Sequence, residues 1–466
     1  MGFWLVPGGA RGVFSAALAF TALLVTAAPA AAEPAAPPLG DAVMSKNVEY
    51  LGSIKQDVGM TAGAKVVGDR LFVTSGKNIS IYDISKPAQP VELGSMEVNV
   101  AWENEEVPTN GKVLAVASDF YSAVPECMAA MAVDGCVQFF DVRNPENITQ
   151  VGTIPIANHT AECALDCKYF YGRAGTIIDA RGILQGNPPT VIGDWIKELG
   201  EQGVDEKSCH HIRELRPGIL LTACQPFAVI SINAEDGGSP KHPKVLYTGK
   251  AAKFVHSARW PREGTDKFLL TGGEQNFRGR CELNNSEFSV YSAKKVLAGK
   301  SNQFEGPLTQ VPPAGNGFYA DGKPVAGALG CSVHWFQEHP TFHNGGLVAI
   351  SEYEDGVRFL QITKDGGIKE QGYFLSLGSS SSSPKWAGKG DVLYSVDYQR
   401  GLDILRYTGK HYVPGDRKDP GVEGTNGVTP PPAPTAEQAA QRDKLADELT
   451  ATGWSPFLCS LAAQHR

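Results

Sequence analysis

Seven times along the chain, a short run carries apolar residues on both faces of an extended strand and then ends in small polar residues. The run I-S-I-Y-D-I-S at 79–85 recurs as V-Q-F-F-D-V-R from 137, G-T-I-I-D-A-R from 175 and F-A-V-I-S-I-N from 227. Looser copies follow as F-S-V-Y-S-A-K from 288, V-R-F-L-Q-I-T from 357 and L-D-I-L-R-Y-T from 402. A strand with one wet face alternates apolar and polar residues. One that is apolar on both faces belongs to a sheet sandwiched between neighbours.

Another strand-like run precedes each copy, as in Leu71-Phe72-Val73-Thr74, Ile219-Leu220-Leu221-Thr222 and Phe268-Leu269-Leu270-Thr271. After several copies come a proline turn and a further strand, as in K-P-A-Q-P-V-E-L-G and N-P-E-N-I-T-Q-V-G. With an earlier strand before each pair, the unit has four antiparallel strands and recurs at a mean spacing of roughly 54 residues. This pattern predicts an all-β fold, a seven-bladed β-propeller of four-stranded antiparallel blades. The seventh unit lacks a fourth strand after Thr408, while N-V-E-Y-L-G-S ahead of the first unit copies P-V-E-L-G-S. The spare N-terminal strand is therefore expected to complete the last blade and close the ring, leaving no long open edge.

The pattern I-x-I-Y-D-I-S-x-P-x-x-P-V-x-L-G resembles the repeat of the LVIVD-repeat propeller proteins, best at residues 79–94 and 137–152, over a span of about 47–408. The resemblance implies an exported or surface-associated propeller. It implies no settled activity, because the family is defined by its scaffold.

Residues 1–32 combine Arg11, an apolar run from Val13 to Val25 and small residues through Ala32, which reads as a secretory signal peptide. The run is shorter than the ~18 to 20 apolar residues a membrane span requires, and no later segment is long enough. A secreted or cell-envelope protein without a transmembrane segment in its mature part is expected, most simply a monomer. Residues 33–46 are expected to be flexible, 47–412 to form the propeller, 413–435 a Gly/Pro-rich linker and 436–466 a helical tail that either docks on the propeller or stays mobile to bind a partner. Thr435 and Gln438 form a capping-box pattern ahead of that helix, whose apolar surface would come from Leu445, Leu449, Trp454, Phe457 and Leu458. The formal net charge of -8 and the lack of a basic stripe argue against nucleic acid as a partner. An envelope or extracellular protein, or a small ligand, is the partner class that remains.

Nine cysteines in an exported chain read as disulfides with one thiol left over. Cys209 and Cys224 sit symmetrically about the turn L-R-P-G, and Cys127 and Cys136 bracket a loop. Cys163 and Cys167 can pair only if Ala164-Leu165-Asp166 makes a turn. Cys281 and Cys331 are left to each other, with Cys459 over.

Counting back from the second strand of each unit places His159, His210 or His211, His256 and His334 at similar positions near the starts of four innermost strands. Thr61, Trp102 and the serines around Ser382 take that place in the other three. The longest insertions, 119–136, 193–208, 272–287 and 311–330, should emerge on the same face, where loops over a rigid scaffold tend to bind. Two readings follow. In one, the propeller is a ligand- or protein-binding scaffold, with His159, His210, His256, His334 and Trp102 at the binding face. In the other, His159, His210, His211, His256 and His334 supply a zinc or copper site with oxidoreductase or hydrolase activity, since neutral imidazole suits both metals. Alternation along a strand means that only one of His210 and His211 should join it. Glu352, Glu354 and Asp355 are read as a solvated turn rather than a calcium site, and His242, His339, His343 and His411 as solvated. No catalytic residue is assigned.

Overall fold

The computed structural model describes residues 42–54, 61–75, 78–98, 105–118, 135–250, 254–274, 286–314, 331–388, 390–410 and 434–451. Over these the chain forms seven consecutive sheets, the blades of a β-propeller. The first blade shows the plan: Thr61–Val67, Arg70–Ser75, Asn78–Asp83 and Val91–Glu97 pair in sequence order, each antiparallel to the last. Among the described residues, the innermost part of the second blade pairs through a single bridge between Thr109 and Leu114. The last blade takes its fourth strand from the N-terminal side, where Val48–Ile54 pairs antiparallel with Gly401–Tyr407. That is the closure the spare strand predicts.

The doubly apolar runs are explained by where their two faces go. Leu71 and Val73 pack with Tyr394, Val396 and Leu402 of the seventh blade, whereas Phe72 between them packs with Leu114, Val116 and Phe140 of the second. Seven such clusters among the described residues each join one blade to the next. Each fully buried Leu, Val or Phe contributes about 1.5–3 kcal/mol. The core is thus a ring of interfaces, and the second and third strands of each blade have no wet face in their middle, unlike outermost strands such as Val91–Glu97.

Several features depart from the sequence expectations. Ala42–Met44, inside the segment 33–46 expected to be flexible, pairs with Ile368–Ser376 and adds a fifth strand to the sixth blade. Gln303–Phe304 adds a parallel fifth strand to the fourth blade. The insertion 193–208 contains a helix, Trp195–Glu201, capped by Asp194, with the Trp195 indole buried and donating to the Gly172 carbonyl. Glu352, Glu354 and Asp355 are buried rather than solvated, because Arg358 pairs with Glu352 at 2.9 Å and Ser380 donates to Glu354 at 3.1 Å. His339 is buried too, its ring edge-on to Trp386 and its Nδ1 2.7 Å from the Thr341 hydroxyl.

Leu165, Asp166 and Cys167 take left-handed conformations, the turn that Cys163 and Cys167 need, and the two are disulfide-bonded. Cys209 and Cys224 are bonded across their hairpin. Cys136 and Cys331 are also in disulfides, while their expected partners Cys127 and Cys281, and Cys459, lie outside the described residues. The tail forms the helix Ala436–Ala451, with Thr435 and Gln438 exchanging the two capping-box hydrogen bonds. The side chains of Leu445 and Leu449, and all of Trp454, Phe457 and Leu458, lie outside the described set. Among the described residues no helix is long and apolar enough to cross a membrane.

Candidate metal centre in the propeller channel

The innermost strands of a propeller surround its axis, so residues at equivalent positions on successive blades meet there. His159, His210, His256 and His334 do meet. The ring centroids of His159 and His210 are 4.9 Å apart, those of His210 and His256 3.7 Å, and those of His256 and His334 4.2 Å. All four rings are buried, none more than 2% exposed. Trp102 lies outside the described residues, and Thr61 is buried without an imidazole contact recorded for it.

Carboxylates the sequence reading missed complete the cluster. Glu105 Oε1 is 3.3 Å from His334 Nε2, and its Oε2 is 3.5 Å from His256 Nε2. Glu274 Oε2 lies 3.8 Å from the same His256 nitrogen. The carboxylates are themselves held: Trp335 Nε1 and Tyr398 donate to Glu105 at 2.8 and 2.6 Å, and Tyr353 donates to Glu274 at 2.5 Å. Donor atoms of Glu105, His210 and His256 all lie within 4.8 Å of one another, as do those of His256, Glu274 and His334.

The imidazole nitrogens are under-used. Both ring nitrogens of His210 and Nδ1 of His256 are buried without a hydrogen-bond partner, while Nε2 of His256 and Nε2 of His334 have only the 3.3–3.8 Å carboxylate contacts. A buried polar atom left so costs about 1–3 kcal/mol. His334 Nδ1 donates to the Ser382 carbonyl at 2.8 Å, which fixes the tautomer and leaves the Nε2 lone pair facing the cluster. Burial, reinforced by neighbouring histidines, holds His210 well below the ordinary histidine range and His256 below it. Burial also acts on His334, but the Glu105 carboxylate outweighs it and the pKa is raised. Burial pushes Glu105 up, and His334 and His256 more than reverse that, so it stays ionised. His210, His256 and the Glu105 carboxylate, two imidazoles and an anion, form a donor set suited to a first-row transition ion, and His334 with Glu274 forms a second set that shares His256.

A second layer lies three residues further along the innermost strands. His159 is followed at that offset by Glu162, His210 by Arg213, His256 by Arg259 and Ser382 by Lys385. At about 3.3 Å per residue the layers are roughly 10 Å apart. Here Glu106 accepts from Lys385 and lies 3.2 Å from Arg213, Lys65 pairs with Glu162 at 3.2 Å, and Arg259 pairs with Glu338. A spacing of three would face opposite sides of a regular strand. Register shifts near the starts of the first, fourth and seventh innermost strands remove that constraint. For the same reason His210 and His211 both reach Trp335, at 6.0 and 4.8 Å between ring centroids. They still divide between layers: His210 joins the imidazoles, while His211 lies 3.9 Å from Glu162 and outside the three-donor groups.

No family model matches the chain. No curated protein matches it either. Solved structures with a similar backbone include the β-propeller domain of Myceliophteria thermophila Cps50 (Swd1), at 12% identity and TM-score 0.49, covering 78% of this chain and 100% of that one. The WD40 repeats of RRP9 align at 10% identity and TM-score 0.47, covering 77% and 97%. Chaetomium thermophilum Raptor aligns at 11% and 0.46, covering 80% of this chain and 30% of its own.

Proposed function

We propose that the protein is a metal-holding propeller whose channel binds one zinc or copper ion through Glu105, His210 and His256, with Glu274 and His334 as the adjoining group that shares His256. The observation that carries this reading is the convergence of buried imidazole nitrogens that have no hydrogen-bond partner beside an ionised carboxylate. Bound there, such an ion would supply Lewis-acid chemistry if zinc or electron transfer if copper.

The chain's own residues have separate tasks. The Ser382 carbonyl holds the His334 ring so that Nε2 faces the cluster. Trp335 and Tyr398 fix the Glu105 carboxylate between two rings. Tyr353, its ring 4.5 Å from His334, orients Glu274. The ion pairs of the second layer close the channel below and keep water away from that side of the rings. His159 stands next to His210 and is the nearest further imidazole. The broader reading, a propeller with a ligand-binding face, thereby becomes specific about its ligand. The exported location and the LVIVD-like repeat, both read from the sequence, remain part of the proposal.

Elemental analysis of the purified protein tests it. About one zinc or copper per chain is expected, and His256→Ala is expected to weaken retention about a hundredfold or more, beyond the 10–100-fold of a lost outer-shell contact. A wild type that neither carries nor takes up either metal at micromolar concentration refutes the reading.

A further inference from the structure

A second group of donors lies away from the imidazoles, on the hairpin of the fourth blade. Cys209 is on Lys207–Arg216 and Cys224 on Ile219–Gln225, with Cα atoms 4.0 Å apart. Glu206 Oε2 lies 3.6 Å from the Cys209 sulfur and 3.2 Å from the Cys224 sulfur, and one donor atom from each of the three falls within 4.8 Å of the others. Glu206 is buried, its Oε1 accepts from the Thr222 hydroxyl at 2.7 Å, and among the described residues no cation pairs with it. Its other oxygen faces two sulfurs and nothing else that the structure records. A carboxyl in that position has no evident task while the sulfurs are bonded to each other.

We propose that Glu206, Cys209 and Cys224 form a latent site for a thiophilic d10 ion such as zinc, assembled when the disulfide is reduced. The chemistry balances with a dithiol as reductant. Its thiolate attacks one sulfur of the pair, the other leaves as a thiol, and the second thiol of the reductant resolves the mixed disulfide. Two protein thiols form and the reductant becomes a disulfide. Metal binding then displaces the thiol protons and the carboxyl proton into solvent. The hairpin register holds the two sulfurs side by side after the bond opens, so the ligands are already in place. Two thiolates and a carboxylate leave a fourth position for water, a set that favours zinc or cadmium over hard cations.

Cadmium is the probe, because thiolate-to-cadmium absorption near the far ultraviolet reports sulfur ligation alone and the channel offers no thiolate. The folded protein is reduced with a dithiol, freed of reductant under nitrogen and titrated with cadmium, beside an unreduced sample. Reduction also frees Cys163, Cys167, Cys136 and Cys331, so reduced Cys209→Ser is the reference. The expected result is one more cadmium per chain, with a stronger thiolate band, in the reduced wild type than in reduced Cys209→Ser or Cys224→Ser, and Glu206→Gln, which keeps both sulfurs, should bind that cadmium about tenfold more weakly. The proposal is overturned if reduced wild type and reduced Cys209→Ser take up the same cadmium with the same band, if reduction unfolds the protein, or if Glu206→Gln binds as tightly as wild type. Loss of metal from the channel histidines leaves these readings unaffected, so the two proposals fail separately.

Discussion

The two layers of the channel differ in burial and in how their polar groups are matched: the imidazole layer is fully buried, whereas Lys65, Arg213 and Arg259 of the other keep side-chain exposures of 24, 13 and 15%. In the lower layer each charge meets an opposite one: Glu106 sits between Lys385 and Arg213, Lys65 meets Glu162, and Arg259 meets Glu338. In the upper layer imidazoles lie ring against ring, and both nitrogens of His210 and Nδ1 of His256 have no hydrogen-bond partner. The lower layer also holds unsatisfied atoms, Arg213 Nε and Nη2, Glu162 Oε2 and both His211 nitrogens, but its charges are paired, whereas the upper layer gathers imidazole nitrogens beside a carboxylate. The lower layer stabilises the blades' meeting point. The upper one costs stability that a ligand can return.

The sharpest way to break this comparison is at Glu106. Glu106→Ala strands the Lys385 ammonium and the Arg213 guanidinium, and a buried charge that loses its partner costs about 3–5 kcal/mol. Denaturant unfolding should show that loss, while zinc or copper affinity of the remaining folded protein stays within about threefold of wild type. A fall in metal affinity comparable to that of His256→Ala would show that the layers are one site.

The next largest effect is on pH dependence. Burial lowers the Lys385 pKa from 10.5 to about 8, although Glu106 opposes the shift. Between those values the unfolded chain holds a proton that the folded chain has lost, so this group's contribution to stability rises with pH across the window. The rise amounts to roughly 3 kcal/mol at about 1.4 kcal/mol per pKa unit. Lys385→Met removes it. Unfolding midpoints measured from pH 7.5 to 10.5 should diverge between wild type and variant, and parallel curves would contradict the assignment.

Smaller effects belong to the upper layer's supports. Tyr398→Phe removes one donor from Glu105 and keeps the ring, so metal affinity should fall by about tenfold with stability nearly unchanged. An unchanged dissociation constant would remove Glu105 from the centre. The smallest effect is expected at His211, whose ring nitrogens lack hydrogen-bond partners although it stands outside the three-donor groups. His211→Leu should leave metal content at wild-type level and stability equal or slightly higher, because it removes unsatisfied polar atoms. Loss of the metal in this variant would move the centre down the channel.

The fold could be read from the chain because each blade repeats the same demand, apolar on both faces of its middle strands. The four histidines could be read because they lie at similar positions ahead of the second strands that begin at Tyr169, Ile219, Phe268 and Gly346. Glu105 and Glu106 escaped because, among the described residues, the innermost part of their blade pairs only through the bridge at Thr109 and leaves no hydrophobic pattern to count from. Glu274, Tyr353 and Tyr398 escaped for a different reason: they sit just past second strands, at positions whose direction only the assembled ring sets. The carboxylates of S-E-Y-E-D-G looked solvated because Arg358, the cation that neutralises Glu352, is separated from them by a turn.

The strands contributed by the chain's beginning have a consequence in time. Ser45 bonds to Tyr373 across 328 residues and Arg406 to Glu49 across 357, so Ala42–Met44 and Val48–Ile54 have no partners until nearly the whole chain has left the ribosome. Pairing at such sequence distance is slow, and it comes last in vectorial synthesis. The earliest residues made are the last to find their place. A nascent chain must keep two edge-forming segments idle, or chaperoned, for most of its synthesis.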